Sequence, residues 1–172
     1  DLRLSRGLGD VYKRQPNADI FIDDKGVEAS KWAASQPKLK GIVAGAFDII
    51  HPGYIRMFKE AKWHCNHLTI ALHDDPSEER PHKLTPVQTV EERKEILKSI
   101  IYIDDIVVYQ KEETFLEYLK DYDIRFLGDD YTDGSYSGKE IPIDIVWLNR
   151  GHNYSTTKLK KQIHDSILEK SS

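Results

Sequence analysis

One cysteine, Cys65, stands in 172 residues, which excludes an intramolecular disulfide and any zinc site built from several thiolates. That scarcity suits a reducing compartment, and a cytoplasmic location is expected. Apolar runs of about 20 residues, the length of a bilayer-spanning helix, are missing. No signal-peptide pattern appears either, so no membrane insertion is expected. Excess positive charge is lacking too. With 25 basic residues against 29 acidic ones the formal charge is −4, which argues against nucleic acid as the main partner but leaves room for a local phosphate-binding patch. What remains is ordinary for a folded domain. Hydrophobic residues at 39% and charged residues at 31% supply one core of useful size.

Residues 1–15 mix Arg, Gly and Leu without a sustained period and read as a non-native or disordered leader. Residues 16–39 form an N-terminal extension, with a short strand expected at 20–22 and a helix around 27–34. From residue 40 to 172 the pattern becomes regular. Short apolar segments at 41–47, 67–72, 105–109, 124–127 and 143–148 read as strands. Helices are expected between them: one opened by Pro52 with Ile55, Phe58, Ala61 and Cys65 on a single stripe, and one started by the capping box Thr89-Val90-Glu91-Glu92. A third carries Phe115, Leu116 and Leu119, and a last one follows Ser155 with Leu159, Ile163 and Ile167 at helical spacing. Residues 73–86 hold three prolines and read as a polar loop. Strands alternating with helices imply parallel βαβ units, hence an α/β, Rossmann-like three-layer sandwich with a five-stranded parallel sheet.

Chemistry gathers just after the predicted strands, where open α/β sheets bind ligands. Asp48 and His51 follow the first strand, Asp129 and Asp130 the fourth, and Arg150 to Thr157 the fifth. One such fold brings the three clusters to a single edge. Gly45 allows close backbone approach, and Pro52-Gly53 opens a helix whose free N–H groups suit phosphate. Each cluster also has a plainer reading. His51 could simply fill a turn, Ser155-Thr156-Thr157 could cap a helix without ligand, Asp129-Asp130 could be a turn, and Arg93 a surface ion-pair partner. Lys158, Lys160 and Lys161 read as a solvated face, and Trp32, Trp63 and Trp147 as packing residues.

Gly45-Ala46-Phe47-Asp48-Ile49-Ile50-His51-Pro52-Gly53-Tyr54 resembles the GxFDxxHxGH signature of the cytidylyltransferase group of HIGH-motif nucleotidyltransferases. The resemblance continues in order through Glu92-Arg93, Tyr102-Ile103-Asp104-Asp105, Gly128-Asp129-Asp130-Tyr131 and Arg150-Gly151-His152-Asn153-Tyr154-Ser155-Thr156-Thr157. It runs over about residues 40–170, which makes 40–172 the nucleotidyltransferase domain, and the match is nearest to the glycerol-3-phosphate cytidylyltransferase branch.

That resemblance implies in-line attack by a phosphate oxygen of a small phosphorylated alcohol on the α-phosphorus of CTP, with pyrophosphate leaving. It implies Mg²⁺ carried with CTP, with no metal ligated by protein side chains, and a homodimer. The implied catalytic residues are His51, Tyr54, Lys83 and Arg150. Nucleotide contacts fall to Gly45, Ala46, Phe47, Asp48, Gly53, Arg93, Asp129, Ser155, Thr156 and Thr157. Lys139, in the small-residue-rich loop 132–142, is expected on the acceptor phosphate.

The departure is Tyr54, where the family has a second histidine. A phenol with an ordinary pKa of about 10 donates one hydrogen bond but stays neutral near pH 7. Tyr54 either substitutes geometrically or weakens transfer, and His73 is a candidate for compensation. An ATP-dependent adenylyltransferase and a CTP-binding module with lost turnover therefore stand as alternatives to a CTP-dependent transferase.

Overall fold

A computed structural model describes residues 38–171. The expectations for 1–15, for the strand at 20–22, the helix at 27–34 and Trp32 lie outside the described residues. The strands form as the apolar runs require: β1 (Lys40–Gly45), β2 (His67–His73), β3 (Asp105–Tyr109), β4 (Ile124–Gly128) and β5 (Asp144–Leu148). All pairings are parallel, in the order β3-β2-β1-β4-β5. The chain therefore winds outward from β1 to β3 and then returns to β4 on the other side. The crevice between the carboxyl ends of β1 and β4 is the switch point where such sheets take ligands.

Five α-helices and two short 3₁₀ turns (Leu119–Asp121 and Asp129–Tyr131) complete the described fold, the α-helices being α1 (Pro52–His64), α2 (Pro76–Glu79), α3 (Val90–Lys98), α4 (Glu112–Tyr118) and α5 (Thr156–Ser171). The short α2 interrupts what reads from sequence as a plain loop. It forms because Asp75 caps it through the Ser77 N–H at 2.8 Å and Pro76 occupies its first position. Helix α3 starts on the expected capping box: Thr89 Oγ1 accepts from the Glu92 N–H and the Glu92 carboxylate accepts from the Thr89 N–H.

The two faces of the sheet are covered unequally. On one, Phe58 and Ala61 of α1 and Leu97 of α3 pack on Val43, Leu68, Ile70, Leu72, Ile124, Phe126 and Leu148. On the other, Phe115 of α4 and the following Leu119 pack on Ile42, Ala71 and Tyr109. The three-layer sandwich is thus present, with a thin layer on the α4 face. Among the described residues, the first turns of α5 settle on the domain: Leu159 is half-buried, while Ile163 is 48% exposed. Trp63 is exposed, and Trp147 meets Tyr136 edge-on at 5.9 Å.

Candidate active site

The loop after β1 is held in a conformation that side chains resist. Phe47 and Ile49 both have positive φ, 48° and 54°, a costly choice for a bulky and a β-branched residue. What compensates is a dense set of bonds to the strap before α3. The Asp48 carboxylate accepts from the Val87 and Gln88 N–H groups at 2.9 and 3.0 Å, and the Ile49 N–H donates to the Gln88 side chain at 3.0 Å. Lys160 of α5 reaches Asp48 Oδ2 at 2.7 Å and the Thr85 carbonyl at 2.9 Å. Burial alone would raise the Asp48 pKa, but Lys160 and the two N–H groups outweigh it and hold the carboxyl below its ordinary value.

Arg93 braces the same loop from beneath. Only 2% exposed, it donates through its guanidinium to the carbonyls of Ala46, His73, Asp74 and Gln88. This differs from a surface ion pair and from a nucleotide contact. Arg93 fixes the ends of β1 and β2, and its location behind the loop keeps it out of the cleft lining. Asp104, in the third motif, is likewise structural: it ties Lys62 of α1 to the start of β2 through the Leu68 N–H.

The strained loop delivers His51 to the N-cap of α1, and Ser155 stands at the head of α5. These two helix starts open into one cleft of about 780 Å³ at the carboxyl edge of the sheet. A chain of hydroxyls locks them together: the Thr156 O–H donates to the Asp48 carbonyl at 2.9 Å, and Tyr54 Oη lies 3.1 Å from Thr156 Oγ1. The proton of Thr156 is therefore spent within the protein. Ser155 differs, because its oxygen accepts from the Lys158 N–H at 3.1 Å and its own proton remains to be donated. The leading amides of Thr156 and Thr157 have no carbonyl within the helix to reach, which leaves them for an anion.

Tyr54 stacks on His51 with centroids 4.1 Å apart and planes 11° apart. Burial pushes its phenol upward, so it is neutral. Its hydroxyl serves the helix–helix lock. Tyr54→Phe keeps the stack and loses that bond, so we expect about 1 kcal/mol less stability and a melting temperature lower by about 2–4 °C in a thermal scan.

His51 is 6% exposed, and its Nδ1 is buried without a hydrogen-bond partner among the described residues. Burial, then the neighbouring His152, keeps its pKa below the ordinary imidazole value. His73 lines the cleft from the other side of the sheet. It packs on Tyr109 at 4.5 Å, on the α4 face, whereas Tyr54 packs with the opposite core. His152 is the imidazole beside the head of α1: it lines the cleft and lies so close to Gly53 that a Cβ there would come within 2.5 Å of its ring. Its Nδ1 accepts from the Tyr154 N–H at 3.2 Å, which leaves Nε2 as the N–H donor of the neutral ring.

Gly45, Ala46, Phe47, Asp48, His51, Gly53, Tyr54, Lys83, Arg150, Ser155, Thr156 and Thr157 all line this cleft. Arg93, Asp129 and Lys139 do not. Asp129 acts one step back, accepting from the Arg150 N–H at 3.1 Å, while Arg150 Nη1 lies 3.4 Å from Asp130. Lys139 Nζ sits 5.6 Å over the Tyr136 ring. Sequence reading gave no role to Lys160, His152 or Arg125. Of these, Lys160 is the clearest correction, since it leaves the solvated face of α5 to pair with Asp48. Charged side chains around the cleft are Arg80, Lys83, Arg125, Arg150 and Lys160 against Asp48 and Glu112. A chain with a net charge of −4 thus carries a cationic cleft, as polyphosphate binding requires.

A parallel sheet with a phosphate-suited, cationic cleft at its switch point defines a nucleotide-handling α/β protein. Residues 42–162 match the family described as cytidylyltransferase-like, and the chain belongs to this family of nucleotidyltransferases. It is 30% identical over 126 residues to glycerol-3-phosphate cytidylyltransferase of Bacillus subtilis, covering 72% of this chain and 96% of that protein. It is 32% identical over 141 residues to FAD synthase of Pyrococcus abyssi, covering 76% and 95%. Against the bifunctional protein HldE of Hyphomonas neptunium the identity is 32% over 141 residues, but the match spans 77% of this chain and only 28% of that protein. The lipopolysaccharide core biosynthesis protein of Thermoplasma volcanium shares the fold, with a TM-score of 0.52 at 20% identity over 64% of this chain and 94% of the other. No helix among the described residues is long and apolar enough to cross a membrane.

Proposed function

We propose that the chain transfers a cytidylyl group from CTP to a small phosphorylated alcohol, glycerol 3-phosphate in the first instance, with release of pyrophosphate. The observation that carries this reading is the junction of two helix N-termini, at His51 and Ser155, in one cationic cleft. That junction receives a triphosphate across its length. The Ser155 hydroxyl and the leading amides of α5 bind the β- and γ-phosphates. Arg150 and Lys83 add charge, and His51 contacts the α-phosphoryl group as negative charge grows there. His152 Nε2–H supplies the second donor that Tyr54 cannot give. No covalent enzyme intermediate is needed; the acceptor oxygen attacks phosphorus as the bond to pyrophosphate breaks, and positioning with charge neutralisation lowers the barrier.

The protein's own carboxylates in the cleft do not fit a resident Mg²⁺ site. Asp48 is bound by Lys160 and two N–H groups, and Glu112 by Arg80 and Ser137. In this proposal Mg²⁺ enters on the triphosphate, which its preference for waters and phosphate oxygens permits. A homodimer and a cytoplasmic location belong to the same proposal.

The 32% identity to an FAD synthase over 95% of its length supports a second reading, an adenylyltransferase using ATP. Pyrophosphate release separates the two when CTP and ATP are each offered with glycerol 3-phosphate and with FMN. Turnover with CTP and glycerol 3-phosphate is expected. Turnover with ATP alone would replace the first reading by the second. CTP binding without turnover, unchanged by Tyr54→His, would sink transfer altogether. A gain of activity on Tyr54→His would show that the tyrosine weakens an active site.

A further inference from the structure

Arg125 sits where arginine is seldom placed. It is the second residue of β4, paired in register with Ile42 on one side and Ile145 on the other, and it is 4% exposed. Burying a guanidinium costs several kcal/mol unless paired charge and hydrogen bonds compensate. Here the compensation is thin. Nη1 donates to the Ser137 carbonyl at 2.6 Å, the group lies near the rings of Phe115 (5.0 Å) and Tyr136 (5.4 Å), and Nε has no partner among the described residues. Among the described residues no carboxylate lies within ion-pair distance of it. Glu112, the acid acting most strongly on it, is already shared by Arg80 Nη2 and the Ser137 hydroxyl. Glu140 also acts on Arg125, and Glu79 accepts from the Glu112 N–H, but neither lies within ion-pair distance of the guanidinium, which keeps no carboxylate of its own.

The loop that follows β4 is shaped to this group. Gly138 has φ 77°, and a Cβ there would lie 2.7 Å from Leu116 and 3.2 Å from Arg125 Nη1. Only glycine lets the turn press close enough to set the Ser137 carbonyl on the guanidinium. Arg125 nevertheless lines the cleft, on the α4 face, beside His73 and Tyr109. A strand position delivers it with little freedom, which suits recognition of a fixed group.

We propose that Arg125 binds an oxyanion of the acceptor, so that the acceptor subsite lies on the α4 face between β4 and the loop 131–142. Lys139, outside the cleft lining, does not take part. This rests on the transferase reading for the words "acceptor subsite"; the anion site itself does not. Phosphate and carboxylate share the oxygen geometry that a guanidinium fork recognises, and the two are told apart by the ligands used.

Glycerol 3-phosphate, inorganic phosphate and glycerate are titrated calorimetrically into the full chain and into Arg125→Met, Arg125→Lys and Lys139→Ala. CTP is titrated into each as well. Expected is a loss of about 10- to 100-fold in oxyanion affinity for Arg125→Met, a smaller loss for Arg125→Lys, no change for Lys139→Ala, and CTP affinity within about 2-fold throughout. Tighter binding of glycerate than of glycerol 3-phosphate assigns the site to a carboxylate. Arg125→Met should also keep or raise the melting temperature, because it removes a poorly compensated buried charge. A folded Arg125→Met that binds glycerol 3-phosphate as the unaltered chain does would overturn the proposal. So would a large fall in melting temperature with affinity retained, which marks a structural arginine. If the unaltered chain gives no pyrophosphate with any nucleotide yet loses oxyanion binding on Arg125→Met, the transferase reading fails and the anion site stands.

Discussion

His51→Ala is expected to lower kcat by about 100- to 1000-fold, the usual cost of deleting one donor aimed at developing charge, while CTP affinity changes by only a few-fold. The split follows from geometry. In the proposed binding mode most of the triphosphate falls to Ser155, the α5 amides, Arg150 and Lys83, none of which His51 holds in place. His51 itself stands at the N-cap of α1, where the proposed reaction brings the α-phosphoryl group to the acceptor. Its pKa is below the ordinary imidazole value because burial and His152 disfavour the cation, so the neutral ring is the form present near pH 7. The pH dependence of kcat/KM, which reports the free enzyme, should therefore stay level as pH falls through about 6.5 and drop only at lower values. Single-turnover rates and CTP titrations over pH 5–8 check both parts. A rate that climbs as pH falls through 6.5 would mean that the imidazolium is the working form. Equal losses in kcat and in CTP affinity would make His51 a binding group without a special role in transfer.

How much of this was readable from sequence differs by kind of interaction. Strand positions and the capping box at Thr89 were legible because apolar runs and local side-chain–backbone bonds depend on neighbours in sequence. His51, Ser155 and Arg150 were legible because the parallel topology forces residues that follow strands to one edge. The bracing position of Arg93 is not legible, since its partners are main-chain carbonyls, which leave no residue-type signal. Lys160 reads as surface by helical periodicity, and only the packing of α5 across the first loop turns it inward. Lys139 stands out through its loop but lies outside the cleft lining, whereas Arg125, three residues before Gly128-Asp129-Asp130-Tyr131, lines the cleft from within β4. An arginine between Ile124 and Phe126 was the available clue: in a buried strand, a charge at an alternate position needs a partner.

Asp48→Asn is expected to cost about 3–5 kcal/mol of stability, the range for removing one partner of a buried pair. Asparagine preserves the shape and reverses the hydrogen bonding. Its amide NH₂ would face a donor, whether Val87 N–H, Gln88 N–H or Lys160 Nζ, and the ammonium would be left without its counter-charge. The melting temperature should fall by about 10 °C, at about 2–4 °C per kcal/mol for a chain of this size. The pH dependence has a definite sign. Because the folded-state pKa of Asp48 is lowered, its contribution is complete above the unfolded carboxylate value of about 3.9 and is lost as pH falls through the lower folded value. The gap in melting temperature between the two proteins should then be constant from pH 8 to 5 and close below about 4. Adding Lys160→Met to Asp48→Asn removes the orphaned cation and should recover part of the loss, a coupling that separate, independent contributions would not give. Activity should not recover with it. The positive φ angles of Phe47 and Ile49 persist only while Asp48 and Gln88 hold the loop, and once that loop relaxes His51 leaves its place at the head of α1. A double variant that regained both stability and turnover would show that the loop keeps its strained form without Asp48.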